Sequence, residues 1–272
     1  MQKKKSTGVD IDLLSYQTYG SFERPAVVFL HGFMGRSDDW QKVVAGLENE
    51  YLCVTIDLPG HGDSLSLPEH YYQFENAAQC VINVLDALQL TAVNLVGYSM
   101  GGRLAIYLLH KFADRFISAC IESASPGLKT ELQRAERITG DHHLAGRLQR
   151  ENYATFLQWW YALPLFAKLQ NHPDYPKLIQ RRLKNNPVEL SRALAAMSTG
   201  RQPNLWPTLQ RTNIPVMMVV GEHDLKYVEI GKEMTHICRL IQLRKLARCG
   251  HNTHFEKSAD FNSILKDFLE KR

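Results

Sequence analysis

The 272-residue chain contains no apolar run long enough to cross a bilayer, for which about 20 consecutive apolar residues are needed. Its amino terminus, MQKKKSTGVDIDLL, is charged but lacks the apolar stretch of a secretory signal. Membrane insertion and export are therefore not expected, and the cytoplasm is the default location. The five cysteines, Cys53, Cys80, Cys120, Cys238 and Cys249, form no C-x-x-C pair and show no metal-ligand spacing. Cys53, Cys120 and Cys238 stand in apolar surroundings, which suits a reducing compartment better than a disulfide framework. Internal repeats and low-complexity tracts are missing too.

Net charge is also low. A formal +4 is too little to argue for nucleic acid as a partner. The charge is unevenly placed, however: from Lys129 to Arg201 there are eight arginines and four lysines against six acids, a local net of +6. For most of those residues the plain reading is a solvated helical face. With 44% hydrophobic and 22% charged residues, the chain can bury a large core in one globular domain that carries an inserted subdomain.

What is present is a set of short apolar runs, each ending in turn residues: AVVFLHGF, YLCVTIDLPGHG, VNLVGYSMGG, FISACIESASPG and, much later, PVMMVVGEHD and IQLRKLARCGH. Continuous apolar strands separated by helical patterns such as FENAAQCVINVLDALQL predict a mostly parallel sheet covered on both faces, an α/β doubly wound fold. Between residues 127 and 213 the strand pattern stops. TELQRAERI, RENYATFLQWWYALPLF, PKLIQRRLKNN and PVELSRALAAM have helical spacing, and three of the four tryptophans (159, 160 and 206) lie here. Residues 1–126 and 214–272 are expected to form the core and 127–213 a helical cap over the sheet. Ligands of such sheets bind outside the carboxyl ends of the strands, where every one of these runs carries polar residues.

Gly97-Tyr98-Ser99-Met100-Gly101 matches G-x-S-x-G, the strand-turn-helix elbow that projects a nucleophilic serine. The mechanical alternative is a glycine-rich turn with Ser99 as a helix N-cap. A serine hydroxyl needs a histidine to take its proton, and the histidine needs a carboxylate to fix its tautomer. The chain supplies them in the order serine, acid, histidine: Asp224 closes VVGEHD and His251 follows the last strand. Glu122, at the end of ISACIE, is the rival acid, and His254 the rival base. Gly250 before His251 favours the latter. A metal on His251 and His254 is rejected because no third ligand stands at a recognised spacing. After FLHGF, the Phe33 N–H is expected to join the Met100 N–H as an oxyanion hole. The His31 side chain and the DLPGHGDS turn read as loop architecture.

On these motifs the chain resembles the α/β-hydrolase superfamily over nearly its full length. GYSMGGR, ESASPGL, LQRAER, WWYALPLF, RRLKNNP, GRQPNLWP and GHNTHFE together resemble, more narrowly, the 2-succinyl-6-hydroxy-2,4-cyclohexadiene-1-carboxylate synthase family of menaquinone biosynthesis. The resemblance implies a catalytic triad of Ser99, Asp224 and His251. It also implies a small polycarboxylate substrate held by Arg103, Arg137 and Arg182, with Tyr98, Trp160 and Tyr161 lining the pocket; Arg134 and Arg181 lie within a helical step of two of these. The reaction implied is elimination of pyruvate from an enolpyruvyl precursor through proton abstraction by the activated serine, without metal or organic cofactor. Guanidinium groups suit such a substrate because their planar fork pairs with a carboxylate through two charge-assisted bonds. The rival readings are a carboxylesterase, thioesterase or carbon–carbon hydrolase using the same triad, and a non-catalytic ligand-binding member of the fold. A monomer is expected.

Overall fold

A computed structural model describes residues 14–271. The reading of the amino terminus as lacking a signal falls almost wholly on residues outside that range. Seven strands form one sheet in the order β1-β3-β2-β4-β5-β6-β7: β1 Tyr16–Tyr19, β2 Ala26–Leu30, β3 Leu52–Ile56, β4 Val93–Tyr98, β5 Phe116–Glu122, β6 Val216–Gly221 and β7 Ile241–Leu246. All neighbours pair in parallel except β1, which runs antiparallel to β3.

The helices are α1 Gln41–Leu47, α2 Phe74–Ala87, α3 Met100–Lys111, α4 Glu131–Arg150, α5 Tyr153–Tyr161, α6 Tyr175–Arg182, α7 Pro187–Ala196, α8 Leu225–Ile237, α9 Thr253–Glu256 and α10 Ser258–Leu269. The mostly parallel, doubly wound α/β arrangement agrees with the sequence pattern. Strand β1 is the addition: YQTY is half-buried at all four positions, so it has no apolar run to betray it.

The unbroken apolar runs follow from coverage on both faces. Along β2, Val28 and Leu30 point to the side packed by α2, α3 and α8, whereas Val27 and Phe29 point to the side packed by α1 and α10. Every residue of β2, β3, β4 and β6 is buried. Burying a Val, Leu or Phe side chain contributes about 1.5–3 kcal/mol, so these two layers supply most of the driving force for folding. The five cysteines are free and buried. Burial, with a smaller push from Glu48, raises the Cys53 thiol to about 12, which keeps it unreactive.

Helices α4 to α7 lie between β5 and β6, and no strand occurs there among the described residues. They form a third apolar cluster around Phe156, Leu157, Leu148, Leu178 and Leu190, into which Met34 and Phe255 project from the strand ends. Polar contacts fasten this layer to the rest. Lys42 on α1 pairs with Asp174 at 2.7 Å, and the Glu189 carboxylate of α7 accepts from the Tyr72 hydroxyl and the Ser66 N–H. Leu205, Trp206 and Leu209, also within 127–213, pack instead with the α2/α3/α8 side of the sheet; the Trp206 indole donates to Gly127 O at 2.8 Å.

Candidate active site

The turn from β4 into α3 holds Ser99 at φ 50°, ψ −106°, a strained left-handed conformation for a residue with a side chain. The flanking glycines permit it. A Cβ on Gly97 would come within 2.6 Å of Gly101 O, and one on Gly101 would run into the Leu30 carbonyl. Backbone bonds pin the turn from both sides, Ser99 N–H to Glu122 O at 2.8 Å and Gly101 N–H to His31 O at 3.1 Å. The Ser99 side chain makes no capping bond to α3, so the mechanical reading of an N-cap serine does not describe it.

Its Oγ faces His251 Nε2 at 3.2 Å, and His251 Nδ1 lies 2.7 Å from Asp224 Oδ2. An ionised carboxylate only accepts, so Nδ1 carries the hydrogen and Nε2 is left free to receive one from Ser99. Asp224 and His251 are both buried. They meet because β6 ends in Gly221, where a side chain would strike the Gly250 and Cys249 carbonyls; the two strand-end loops could not otherwise lie so close.

The rival acid and base pair with each other. Glu122 accepts from Thr253 Oγ1 (2.7 Å), the His254 N–H (3.0 Å) and His254 Nδ1 (2.6 Å), all out of contact with water. Trp40 stacks on the His254 ring at 4.1 Å. This second carboxylate–imidazole pair anchors the loop that carries His251.

Phe33 and Met100 both line the cavity beside Ser99, and their N–H groups have no acceptor among the described residues. The loop that bears Phe33 is held firmly. Met34 sits at φ 62°, its N–H donates to His61 Nε2 at 3.2 Å and its carbonyl accepts from Asn185 Nδ2 at 2.9 Å. His31 Nε2 accepts from Leu58 N–H at 3.0 Å, and each ring's Nδ1 faces a backbone carbonyl. Both imidazoles must be neutral to accept in this way. Burial lowers both, and His31 lowers His61 further, to about 3. In the DLPGHGDS turn, Asp57 accepts from the Ser37 and Asp63 N–H groups.

The cavity in front of Ser99 has a volume of about 230 Å3. Tyr98, Trp160 and Tyr161 line it, together with Phe166 and Tyr227, whose rings lie 6.2 and 5.0 Å from that of His251. Four cations face it, Arg103, Arg137, Arg182 and Lys226, and among the described residues no aspartate or glutamate does. Arg103 donates to Met197 O at 2.9 Å and lies 5.5 Å over the Phe74 ring, with no carboxylate partner among the described residues. Burial lowers its guanidinium to about 10. Arg137 Nε sits 2.8 Å from both oxygens of Asp141, one of which also accepts from Ser198. Arg137, rather than Arg134, reaches the wall.

Arg182 also lines the cavity and is matched by a carboxylate of the protein. Its fork closes on Asp39, Nη1 to Oδ1 at 3.0 Å and Nη2 to Oδ2 at 2.6 Å, and its Nε donates to the Tyr161 hydroxyl at 3.1 Å. Arg181 also reaches Asp39 at 3.2 Å. Burial alone would raise the Asp39 carboxyl, but the Arg182 charge and hydrogen bonds outweigh it and hold the group at about 2. Arg182 thus lines the cavity, as expected, with its charge matched by a protein carboxylate and two of its five N–H groups, one on each Nη, left without a protein partner among these bonds. Asp39 had no motif to reveal it; its only mark in the sequence is the SDDW stretch after the FLHGF loop. Lys226 and Tyr227 were legible in principle, since they open the helix that follows Asp224.

Residues 25–258 match the sequence family described as the alpha/beta hydrolase fold. The chain is 35% identical over 248 residues to the 2-succinyl-6-hydroxy-2,4-cyclohexadiene-1-carboxylate synthase of Enterobacter sp. (strain 638), covering 91% of this chain and 93% of the relative. It is 33% identical over 252 residues to the synthase of the same name from Serratia proteamaculans, with 92% and 95% covered. Among solved structures, MenH from S. aureus superposes with a TM-score of 0.90 at 32% identity, over 94% of this chain and 98% of that one. A thermophilic esterase from Thermogutta terrifontis superposes at 0.83 with 22% identity, over 95% and 93% of the two chains, which shows the shared fold alone.

Proposed function

We propose, for a chain that belongs to the α/β-hydrolase fold and within it to the 2-succinyl-6-hydroxy-2,4-cyclohexadiene-1-carboxylate synthase family, that Ser99, His251 and Asp224 run a lyase reaction of menaquinone biosynthesis. The substrate is 2-succinyl-5-enolpyruvyl-6-hydroxy-3-cyclohexene-1-carboxylate, and the products are the cyclohexadiene carboxylate and pyruvate.

His251 Nε2 takes the Ser99 proton while Ser99 Oγ removes a proton from the substrate ring. The electron pair of that C–H bond becomes a new C=C bond and moves through the conjugated skeleton. The bond between the ring carbon and the enolpyruvyl oxygen breaks, and pyruvate leaves as its enolate, to be protonated on carbon. Asp224 keeps Nδ1 protonated and stabilises the imidazolium that forms. The unclaimed Phe33 and Met100 N–H groups stabilise the negative charge as it develops. Nothing in this sequence of steps needs an acyl-enzyme or a redox or metal partner.

One observation carries the reading: Arg103, half-buried on the first turn after Ser99 without a carboxylate to neutralise it, on a wall free of acids among the described residues. A desolvated, unmatched cation is costly, and an anionic substrate offsets that cost on binding. The chain is read as a cytoplasmic monomer, checked by sedimentation.

The test is pyruvate release from the enolpyruvyl precursor by wild type and Ser99→Ala, with a p-nitrophenyl ester assayed in parallel. Fast pyruvate release that collapses in the variant supports the synthase. Fast ester cleavage without pyruvate overturns it in favour of acyl transfer by the same triad.

A further inference from the structure

The four cations at the cavity differ in how much of their charge is free. That of Arg182 is matched by Asp39, and that of Arg137 is met at Nε by Asp141. Arg103 has only a backbone carbonyl. Lys226 is the remaining one. It stands in the first turn of α8, two residues beyond Asp224, lines the cavity, and has no carboxylate within ion-pair distance among the described residues. Asp224, behind it, is committed to His251.

The Lys226 ammonium lies 5.4 Å over the ring of Tyr227, which also lines the cavity. Desolvation of the ammonium and then the charge of Arg137 lower its affinity for a proton, with Asp224 opposing and Arg103 adding a smaller push. Lys226 is solvent-exposed, yet its ammonium lies over a ring of the cavity wall on the same lining as two guanidinium groups, and this gathering of like charges becomes favourable once an anion sits between the three.

We propose that Lys226 is a carboxylate-binding residue of this site, forming with Arg103 and Arg137 a three-cation corner that receives the substrate's carboxylates, while the charge of Arg182 is matched by Asp39. The substrate's identity rests on the function proposed above, but recognition of carboxylates by this corner does not. An ammonium at a partly open mouth acts as a point charge rather than a fork, so its contribution is to capture and orientation, and it weakens as salt screens it.

The test compares wild type, Lys226→Gln, Lys226→Arg and the control Lys232→Gln, an exposed cation farther along α8 that pairs with Glu229. Two readouts are used: KM and kcat for pyruvate release across a salt series, and quenching of intrinsic tryptophan fluorescence by tricarballylate, a plain tricarboxylate, with Trp160 in the cavity wall. Lys226→Gln is expected to raise KM and weaken tricarballylate binding by about 5- to 30-fold, to leave kcat within about threefold, and to flatten the salt dependence. Lys226→Arg stays within about threefold of wild type, and Lys232→Gln matches it. If Lys226→Gln equals Lys232→Gln in both readouts, or if wild type does not bind tricarballylate, the proposal is wrong. If wild type releases no pyruvate yet Lys226→Gln still loses tricarballylate selectively, the carboxylate corner stands and only the lyase reading falls.

Discussion

Arg182 and Asp39 meet through two parallel charge-assisted bonds of 3.0 and 2.6 Å, with side chains only 5% and 7% exposed. Arg182 belongs to α6 of the 127–213 segment and Asp39 to the stretch that follows the Phe33 loop, so the pair ties α6 to the loop region beside the cavity.

Removing one member of a buried pair leaves an uncompensated charge, at a cost of about 3–5 kcal/mol. Asp39→Ala is therefore expected to lower the urea midpoint sharply and to reduce kcat, since Phe33 loses its support. The double variant Asp39→Ala/Arg182→Met, which removes both charges, is expected to recover most of the stability. Equal stability of the single and double variants in urea titrations would refute the pairing.

Arg103 lies on the other side of the same ledger. It carries a half-buried charge without a carboxylate partner among the described residues, so Arg103→Ala is expected to cost about 2–5 kcal/mol in kcat/KM for the polycarboxylate substrate. Arg103→Met keeps the volume and discards the desolvated charge, and is expected to be at least as thermally stable as wild type while being nearly inactive. Calorimetry and pyruvate release on the same preparation check both halves. A variant that unfolds earlier and still turns over would show that the arginine serves packing.

His61 sets an acid limit. Its folded-state value of about 3 lies below the ordinary 6.5 because burial, and then His31, disfavours the charged ring, and protonation of Nε2 would also break its bond from the Met34 N–H. The folded state resists protonation that the unfolded chain accepts, so the stabilisation is complete above pH 6.5 and is lost as pH falls from 6.5 towards 3. His31, lowered by burial, acts in the same direction. Urea midpoints measured across this window are expected to fall steeply for wild type and less steeply for His61→Gln. Parallel slopes would mean that other groups govern acid unfolding.

Local pattern made much of this molecule legible. The apolar runs of β2 to β6 reflect burial on both faces, and the elbow glycines recur in a recognisable pattern, Gly97 demanded by contact with Gly101 and Gly101 by the Leu30 and His31 carbonyls of the neighbouring strand end. The order Ser99, Asp224, His251 survives projection onto a line because each residue ends or follows a strand of one parallel sheet. Strand β1 was hidden because an edge strand half-exposed on both faces needs no apolar signature. The neutralisation of Arg182 was hidden because Asp39 lies 143 positions away, and nothing local distinguishes an arginine whose charge is matched from one whose charge is not.

Two carboxylate–imidazole pairs lie side by side in this structure, and they are expected to respond in opposite ways to the same chemical change. Asp224→Asn preserves shape but presents an amide that donates to Nδ1 or accepts weakly from it, so His251 loses the tautomer that leaves Nε2 free; kcat is expected to fall by about 10⁴-fold with little change in stability. Glu122→Gln alters a pair that touches no reacting atom. Its main effect is on the buried bonds to His254 and Thr253, about 1–3 kcal/mol of stability, with kcat lowered less than tenfold. Turnover and urea midpoints measured for both variants separate the two roles. If Glu122→Gln proved the more damaging to kcat at equal stability, the acid of the triad would be Glu122, and the 2.7 Å contact between Asp224 and His251 would not be the one that drives proton transfer.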